Sequence, residues 1–134
     1  MLRRISVIAA SAAMLALSAL PASAAAHSST HKLSFPSHSG VSASGNYKIA
    51  SRGVYVNVCV KDTGHQFAVG AVVVATNASG SAGANLGAVA FGHNTTQCRF
   101  GYIPRGYRKH LKTYLIGYTS HGTIAFKTST KKIF

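Results

Sequence analysis

The only acidic residue of this chain, Asp62, limits the chemistry that its side chains can perform. Glycoside hydrolysis and two-metal phosphoryl transfer each require several carboxylates, so this composition excludes both. His65 follows at a spacing of three, and the two residues would fit a Ser-His-Asp triad only if Asp62 were free to orient the imidazole. Asp62-Thr63-Gly64 instead has the composition of a turn, in which an aspartate bonds its own backbone. We therefore expect a turn residue and no enzyme.

Histidine chemistry is the alternative that the composition leaves open. Seven histidines would allow a nuclease that uses imidazole as general acid and base, but their spacing selects no such site. Signal cleavage after Ala24 would make His27 the third residue of the mature chain, where an amine, two amides and an imidazole can hold Cu(II) or Ni(II). The competing interpretation is a polar arm that binds nothing. We expect no cofactor, with His27 as the single candidate metal ligand.

The first 24 residues have the layout of a secretory signal peptide. A basic start (1–4) precedes an apolar run (5–20) and a small-residue ending (21–24), with cleavage expected after Ala24 or Ala26. The apolar run is too short for a comfortable membrane span. These features predict a secreted protein that does not cross the membrane.

The predicted mature chain is strongly basic. Twelve of the 14 lysines and arginines remain against one acid, which gives 12 − 1 = +11 with neutral histidines. Such an excess attracts anionic partners. We expect secreted protein partners, at least one of them acidic, and an anionic cell-wall polymer as a further candidate. Export argues against nucleic acid as a partner.

Cys59 and Cys98 are the only cysteines and allow one intramolecular pairing. An exported chain meets oxidising conditions, in which disulfides form and persist. Closing a loop of about 40 residues contributes roughly 4 kcal/mol in the chain-entropy model. We therefore predict a structural disulfide.

The rest of the chain predicts an extended arm at 25–45 and one domain at 46–134. The arm is rich in Ser, Ala, His and Gly, and Leu33 and Phe35 are its candidate docking residues. In the domain, Val54, Val56, Val58 and Val60 alternate at period two, and the run 67–76 has the composition of a strand buried on both faces. Seven short strands with regular turn signals predict an all-β, small immunoglobulin-like sandwich with one disulfide. Cys59 lies opposite the valines, so a valine core would make the disulfide peripheral.

The segment 99–112 is the candidate partner-binding surface because it mixes cations with aromatic rings. Arginine and tyrosine are favoured anchors of protein interfaces. The competing interpretation is a solvated loop with its tyrosines partly in the core. The residues are Arg99, Tyr102, Arg105, Tyr107, Arg108, Lys109 and Lys112.

The alanine-rich signal, the chain length, the arm at 25–45 and the single-disulfide β domain at 46–134 together resemble the small immunoglobulin-like adaptor of actinobacterial umbrella toxin particles. In that family the adaptor joins a large repeat-bearing toxin chain to a lectin-like chain, partly through its N-terminal segment. The resemblance implies a non-catalytic adaptor within an extracellular antibacterial toxin complex. Two alternatives stay open: a stand-alone cationic effector of anionic cell envelopes, and a copper-binding protein with an N-terminal histidine site.

Overall fold

The computed structural model describes residues 29–134, so the predicted signal peptide and His27 lie outside the described residues. The described chain forms nine β-strands and one short 3-10 turn, η1. In chain order the strands are β1 Thr30–Lys32, β2 Val41–Ala50, β3 Gly53–Asp62, β4 Ala68–Thr76, β5 Gly83–Phe91, β6 Thr96–Pro104, β7 His110–Tyr118, β8 Ile124–Lys127 and β9 Lys131–Lys132, with η1 at Arg105–Tyr107. Within residues 29–134, no helix is long and apolar enough to cross a membrane.

The strands form two antiparallel sheets. Sheet A has the order β1-β2-β3-β6; sheet B has the order β5-β4-β7-β8, and β9 also pairs with β7. The two sheets pack together as a small β-sandwich, which confirms the predicted all-β sandwich class.

The core lies between the sheets and follows the valine alternation. Val54, Val56, Val58 and Val60 are 0–1% exposed, because period-two positions of a strand share one face. Sheet B supplies the opposing inner face. Its buried inner-facing side chains are Val69, Ala71, Val73 and Ala75 of β4 and Leu111, Thr113 and Leu115 of β7.

The disulfide joins Cys59 and Cys98, which are direct partners on the neighbouring strands β3 and β6. It therefore lies within sheet A and does not bridge the two sheets. Both cysteines are on the outer face, opposite the core valines. The valines fill the core and the disulfide is peripheral, which is the arrangement that the sequence pattern predicts for a valine core.

The segment predicted as an arm contributes regular structure to sheet A. β1 pairs with β2 over Thr30–Lys32, and β2 already begins at Val41, so the predicted domain boundary at 45/46 falls inside β2. Leu33 is 6% exposed and belongs to the core, and Phe35 packs against that core. The backbone of this segment is also held to β2, because the Leu33 amide donates to the Gly45 carbonyl at 2.9 Å.

Strand β4 is covered more completely on one face than on the other. Its inner face is buried throughout, as are Ala68 and Gly70, but Val72 and Val74 on the outer face are only half-buried. Every described strand belongs to one of the two sheets, so no third layer covers this face. The expectation of burial on both faces therefore holds for the first half of the strand only.

The sandwich has two ends with different side chains. At one end, which we call the basal end, β3 begins at Gly53 and β4 ends at Thr76, and η1 lies there as well. The apical end is the one where β3 ends at Asp62 and β4 begins at Ala68. The segment around η1 connects the two basal edges, because the Arg105 amide donates to the Arg52 carbonyl beside sheet A at 2.9 Å and the Lys109 amide donates to the Thr76 carbonyl of sheet B at 3.2 Å.

Candidate interaction surfaces

Seven of the twelve basic side chains in residues 29–134 lie at the basal end. Strand register and the position of η1 place them there, in turns and at strand ends that come together only in the folded chain. We call this set the cationic pole: Arg52, Arg105, Arg108, Lys109, Lys112, Lys131 and Lys132.

The segment around η1 is held to sheet A by backbone hydrogen bonds. The Arg105 amide donates to the Arg52 carbonyl at 2.9 Å, and this brings two cations from different loops together. The Arg108 guanidinium donates through Nη1 to the Ala50 carbonyl at 2.5 Å and is half-buried. Arg108 therefore fixes the loop, whereas the side chains of Arg52, Arg105 and Lys109 are exposed and free to meet a partner.

The structure separates the seven residues that the sequence grouped as one surface. Arg105, Arg108, Lys109 and Lys112 belong to the cationic pole. The other three do not: Arg99 lies along the edge strand β6, opposite Val58; Tyr102 lies on the outer face of sheet A; and Tyr107 packs against the core.

Sequence reasoning missed Arg52, Lys131 and Lys132 as members of this surface. Arg52 is in the β2–β3 turn, far before the basic segment 99–112, and the two lysines form β9, well after it along the chain. No local signal joins such positions. The pairing of β9 with β7 brings the two lysines to the pole, and the bond from the Arg105 amide to the Arg52 carbonyl brings Arg52 there.

No exposed side-chain carboxylate offsets the cationic pole. Asp62 is the only acidic residue of the chain and is 0% exposed at the apical end. Exposed like charges with no local partner favour binding to anionic surfaces. The pole therefore has the charge that would complement an acidic ligand or an acidic protein surface.

Asp62 has the structural role that its turn composition indicated. Its Oδ1 accepts from the Gly64 amide at 3.0 Å, and its backbone is bonded to Asn94 and Thr95 on both sides. Its Oδ2 is buried and has no hydrogen-bond partner in the described chain. In residues 29–134 no hydrogen bond joins this carboxylate to a histidine, so the arrangement is a turn and not a triad.

Two histidines lie together at the apical end. The rings of His65 and His93 are 5.9 Å apart and nearly parallel, and the Nδ1 of His93 is 2.8 Å from the Gly64 carbonyl oxygen. Across the part of the chain that the structure describes, no three metal-binding side chains come together. The His27 site stays a prediction, since that residue is not among those described.

A largely apolar surface covers the outer side of sheet B. Val72, Val74 and Val89 are half-buried there, and Phe91 is 61% exposed at its apical edge. The exposed ring of Phe67 contacts that of Phe91 edge-to-face at 5.9 Å. Contiguous exposed apolar surface is typical of a protein-binding site.

The two candidate docking residues of the arm are already occupied. Leu33 lies in the core of this domain, and Phe35 packs on it. The Ser34 carbonyl between them accepts from the Thr113 hydroxyl of sheet B at 2.6 Å. The segment therefore docks onto its own sandwich.

No family model, no curated protein and no solved structure matches this chain. Its surfaces must therefore be interpreted from their own chemistry.

Proposed function

We propose that this protein is a secreted, non-catalytic adaptor that holds an acidic protein partner at its cationic pole. The observation that supports this most directly is the grouping of seven cations at one end of a sandwich that exposes no side-chain carboxylate. Electrostatic complementarity of this kind steers association and fixes orientation.

An adaptor needs a second contact, and the outer face of sheet B provides a chemically different one. Val72, Val74 and Val89 present aliphatic carbon on a sheet face with no covering layer. Burying this face would contribute through the hydrophobic effect, at about 25 cal/mol per Å² of apolar surface. The two contacts differ in chemistry, one depending on charge and the other on apolar area, and they adjoin where Val74 pairs with Lys112.

The resemblance to the umbrella toxin adaptor supports a finer form of this proposal, in which the partners are chains of an extracellular toxin complex. The part of the N-terminal segment at 30–35 is packed on its own sandwich, so we place the partner contacts on the pole and on sheet B. Export is supported by the signal-peptide pattern and by a disulfide within sheet A.

The test is co-purification from the culture medium of the source organism. The tag belongs in the exposed 120–122 turn of the β7–β8 hairpin, at the apical end, since Phe134 at the chain end packs against the core. We expect one or more large secreted chains in fixed stoichiometry, at least one of them acidic, identified by mass spectrometry. Elution of the protein alone would overturn the adaptor proposal.

A second candidate is favoured by the charge alone: a stand-alone cationic effector that acts on anionic envelopes. It requires no partner, so the purified protein should release dye from vesicles that contain anionic lipid. Vesicles of zwitterionic lipid are the control. Release from the anionic vesicles, with no co-purifying chain, would support the effector and exclude the adaptor.

A further inference from the structure

The outer face of sheet A carries three exposed aromatic rings in one group. Tyr55 and Tyr102 are direct cross-strand partners with ring centroids 5.1 Å apart, and Phe100 lies diagonally from Tyr55 at 6.1 Å with the ring planes 18° from parallel. Their exposed fractions are 42% for each tyrosine and 69% for Phe100. We call these three rings the aromatic row.

The core does not require these rings. They are on the face opposite the buried valines of β3, and the sandwich has no layer beyond them in the described chain. An exposed phenylalanine on a flat sheet face lowers solubility and offers an edge strand to aggregation, so it is a cost unless something binds it.

An open depression of about 560 Å³ adjoins the aromatic row on the same sheet. Asn57 connects the two, because it lines the depression and is the direct cross-strand partner of Phe100. Next to His31, Lys32 and several apolar residues, the lining also includes the hydroxyl and amide side chains of Thr30, Ser44 and Asn46. Such groups both donate and accept hydrogen bonds, which suits a ligand that is rich in hydroxyl groups.

The charged side chains of this face are all lysines. Lys32 lines the depression, Lys48 is the cross-strand partner of Tyr55, and Lys61 follows farther along β3. No arginine points to this face within β1, β2, β3 or β6, since Arg99 faces the other way with Val58 as its partner. The face therefore combines ring stacking, hydroxyl recognition and positive charge.

We propose that the outer face of sheet A binds an anionic polysaccharide chain, with sugar rings against the aromatic row and hydroxyl groups in the adjoining depression. The apolar C–H faces of a sugar ring pack on an aromatic face, whose partial negative charge attracts them. The lysines complement carboxylate or phosphate groups along the chain. The site shares no side chain with the cationic pole, although the two adjoin where the Tyr102 hydroxyl donates to the Arg52 carbonyl. The proposal does not require the adaptor proposal to hold.

Single-stranded nucleic acid also combines rings with negative charge, and aromatic residues in a cationic groove bind it by stacking. The depression favours the polysaccharide, because its amides and hydroxyls are adjacent to the rings and the arginines that best match phosphate lie elsewhere. An oligonucleotide therefore belongs among the test ligands.

The test is a binding titration of the whole protein with two charged polymers, polygalacturonate for carboxylate and, for phosphate, a glycosylated wall teichoic acid, whose sugar rings are substituents on a polyol-phosphate backbone. Fully methyl-esterified polygalacturonate keeps the sugar rings without the charge, and linear polyphosphate keeps the charge without the rings. We expect at least one charged polymer to bind more tightly than both controls. If neither charged polymer does so, the proposal is wrong.

Phe100→Ala is the decisive variant, and Phe91→Ala is its matched control. Both rings are exposed, 69% and 61%, but Phe91 lies at the apical end of sheet B, away from the aromatic row. We expect Phe100→Ala to weaken polysaccharide binding about tenfold, the effect of losing one stacking ring, and Phe91→Ala to leave it unchanged. Thermal unfolding of both variants checks that each is folded.

Two results would overturn the proposal even if a charged polymer binds. Equal effects of the two phenylalanine substitutions would mean that charge alone binds the polymer. Binding of oligo-dT more tightly than either polysaccharide, with the same loss in Phe100→Ala, would assign the face to single-stranded nucleic acid. A Tyr55→Ala variant removes a ring of the aromatic row on β3. Like Phe100→Ala, it should bind the polysaccharide more weakly than Phe91→Ala does.

Discussion

At the scale of single residues, Asp62 shows how much one buried side chain can contribute to a loop. It closes its own turn through the Gly64 amide, and its backbone amide and carbonyl bond to Thr95 and Asn94 in the loop between β5 and β6. The residue therefore ties together two apical loops. Its side chain supports the fold and is not available to a ligand.

We predict that Asp62→Ala lowers the free energy of unfolding by about 1–2 kcal/mol, because the Gly64 amide loses its acceptor inside the protein. Asp62→Asn keeps an oxygen at this position, so it should recover most of the loss. Urea unfolding followed by circular dichroism measures both variants. If both variants lose the same free energy of unfolding, the stabilisation comes from the charged carboxylate and not from an oxygen that accepts the Gly64 hydrogen bond.

The role of Asp62 was predictable from sequence, but its burial was not. The Asp62-Thr63-Gly64 turn follows from local chemistry, since an aspartate two residues before a glycine can bond the glycine amide. Burial depends on the 92–95 loop, which packs over the turn from a distant part of the chain. Long-range contacts of this kind leave no local pattern.

At the scale of secondary-structure elements, the short strand β1 changes the interpretation of the N-terminal segment. β1 has three exposed residues, and no period-two alternation can be detected over so short a length. The same applies to the two-residue β9. β3 was predictable because its alternating valines report which face meets the core, whereas the continuous apolar run of β4 predicted a strand but not that its outer face is only half-buried near its end.

We predict that Leu33→Ala lowers the free energy of unfolding by about 2–4 kcal/mol, as expected for truncation of a buried leucine. The exposed Ser37→Ala in the same segment is the control and should change stability by less than about 0.5 kcal/mol. Thermal or urea unfolding provides the measurement. A small effect of Leu33→Ala would mean that segment 30–35 is not part of the cooperative unit.

The disulfide provides a second test at this scale. It closes a loop with a sequence separation of 39 residues, so its removal should lower stability by roughly 4 kcal/mol. The core valines lie on the other face of β3, and we expect the Cys59→Ala/Cys98→Ala variant to keep its β-sheet circular dichroism signal at low temperature. A loss below about 1 kcal/mol would contradict the chain-entropy argument.

At the scale of the whole molecule, the main electrostatic feature is the uneven distribution of charge. Seven cations lie at the basal end, and the apical end has histidines and phenylalanines with few permanent charges. A protein with this asymmetry is oriented by the field of an anionic partner before contact. The composition predicted the net positive charge, but only the fold determines that most of the basic side chains lie at the basal end.

We predict that replacing Arg52, Arg105 and Lys109 together with glutamine weakens binding of the acidic partner about tenfold, since each exposed ion pair is worth about 0.5 kcal/mol. The salt dependence of binding should fall as well. Arg108 is left in place because its guanidinium bonds the Ala50 carbonyl and holds the loop.

The matched control for this prediction removes the same number of charges elsewhere. Lys61, Arg99 and Lys127 are exposed and lie outside the cationic pole. Their replacement with glutamine should leave affinity within about twofold, because exposed charges more than a Debye length from the contact are largely screened at physiological salt. Equal losses in the two triple variants would show that net charge, and not the pole, attracts the partner.

The disulfide within sheet A also determines how far the molecule can be stretched. The loop that it closes contains all of β4 and β5, two neighbouring strands of sheet B. A pull on the two ends of an unfolded oxidised chain cannot extend this loop. In single-molecule stretching, the reduced chain should therefore gain about 130 Å of contour length over the oxidised one, from 39 residues at about 3.4 Å each.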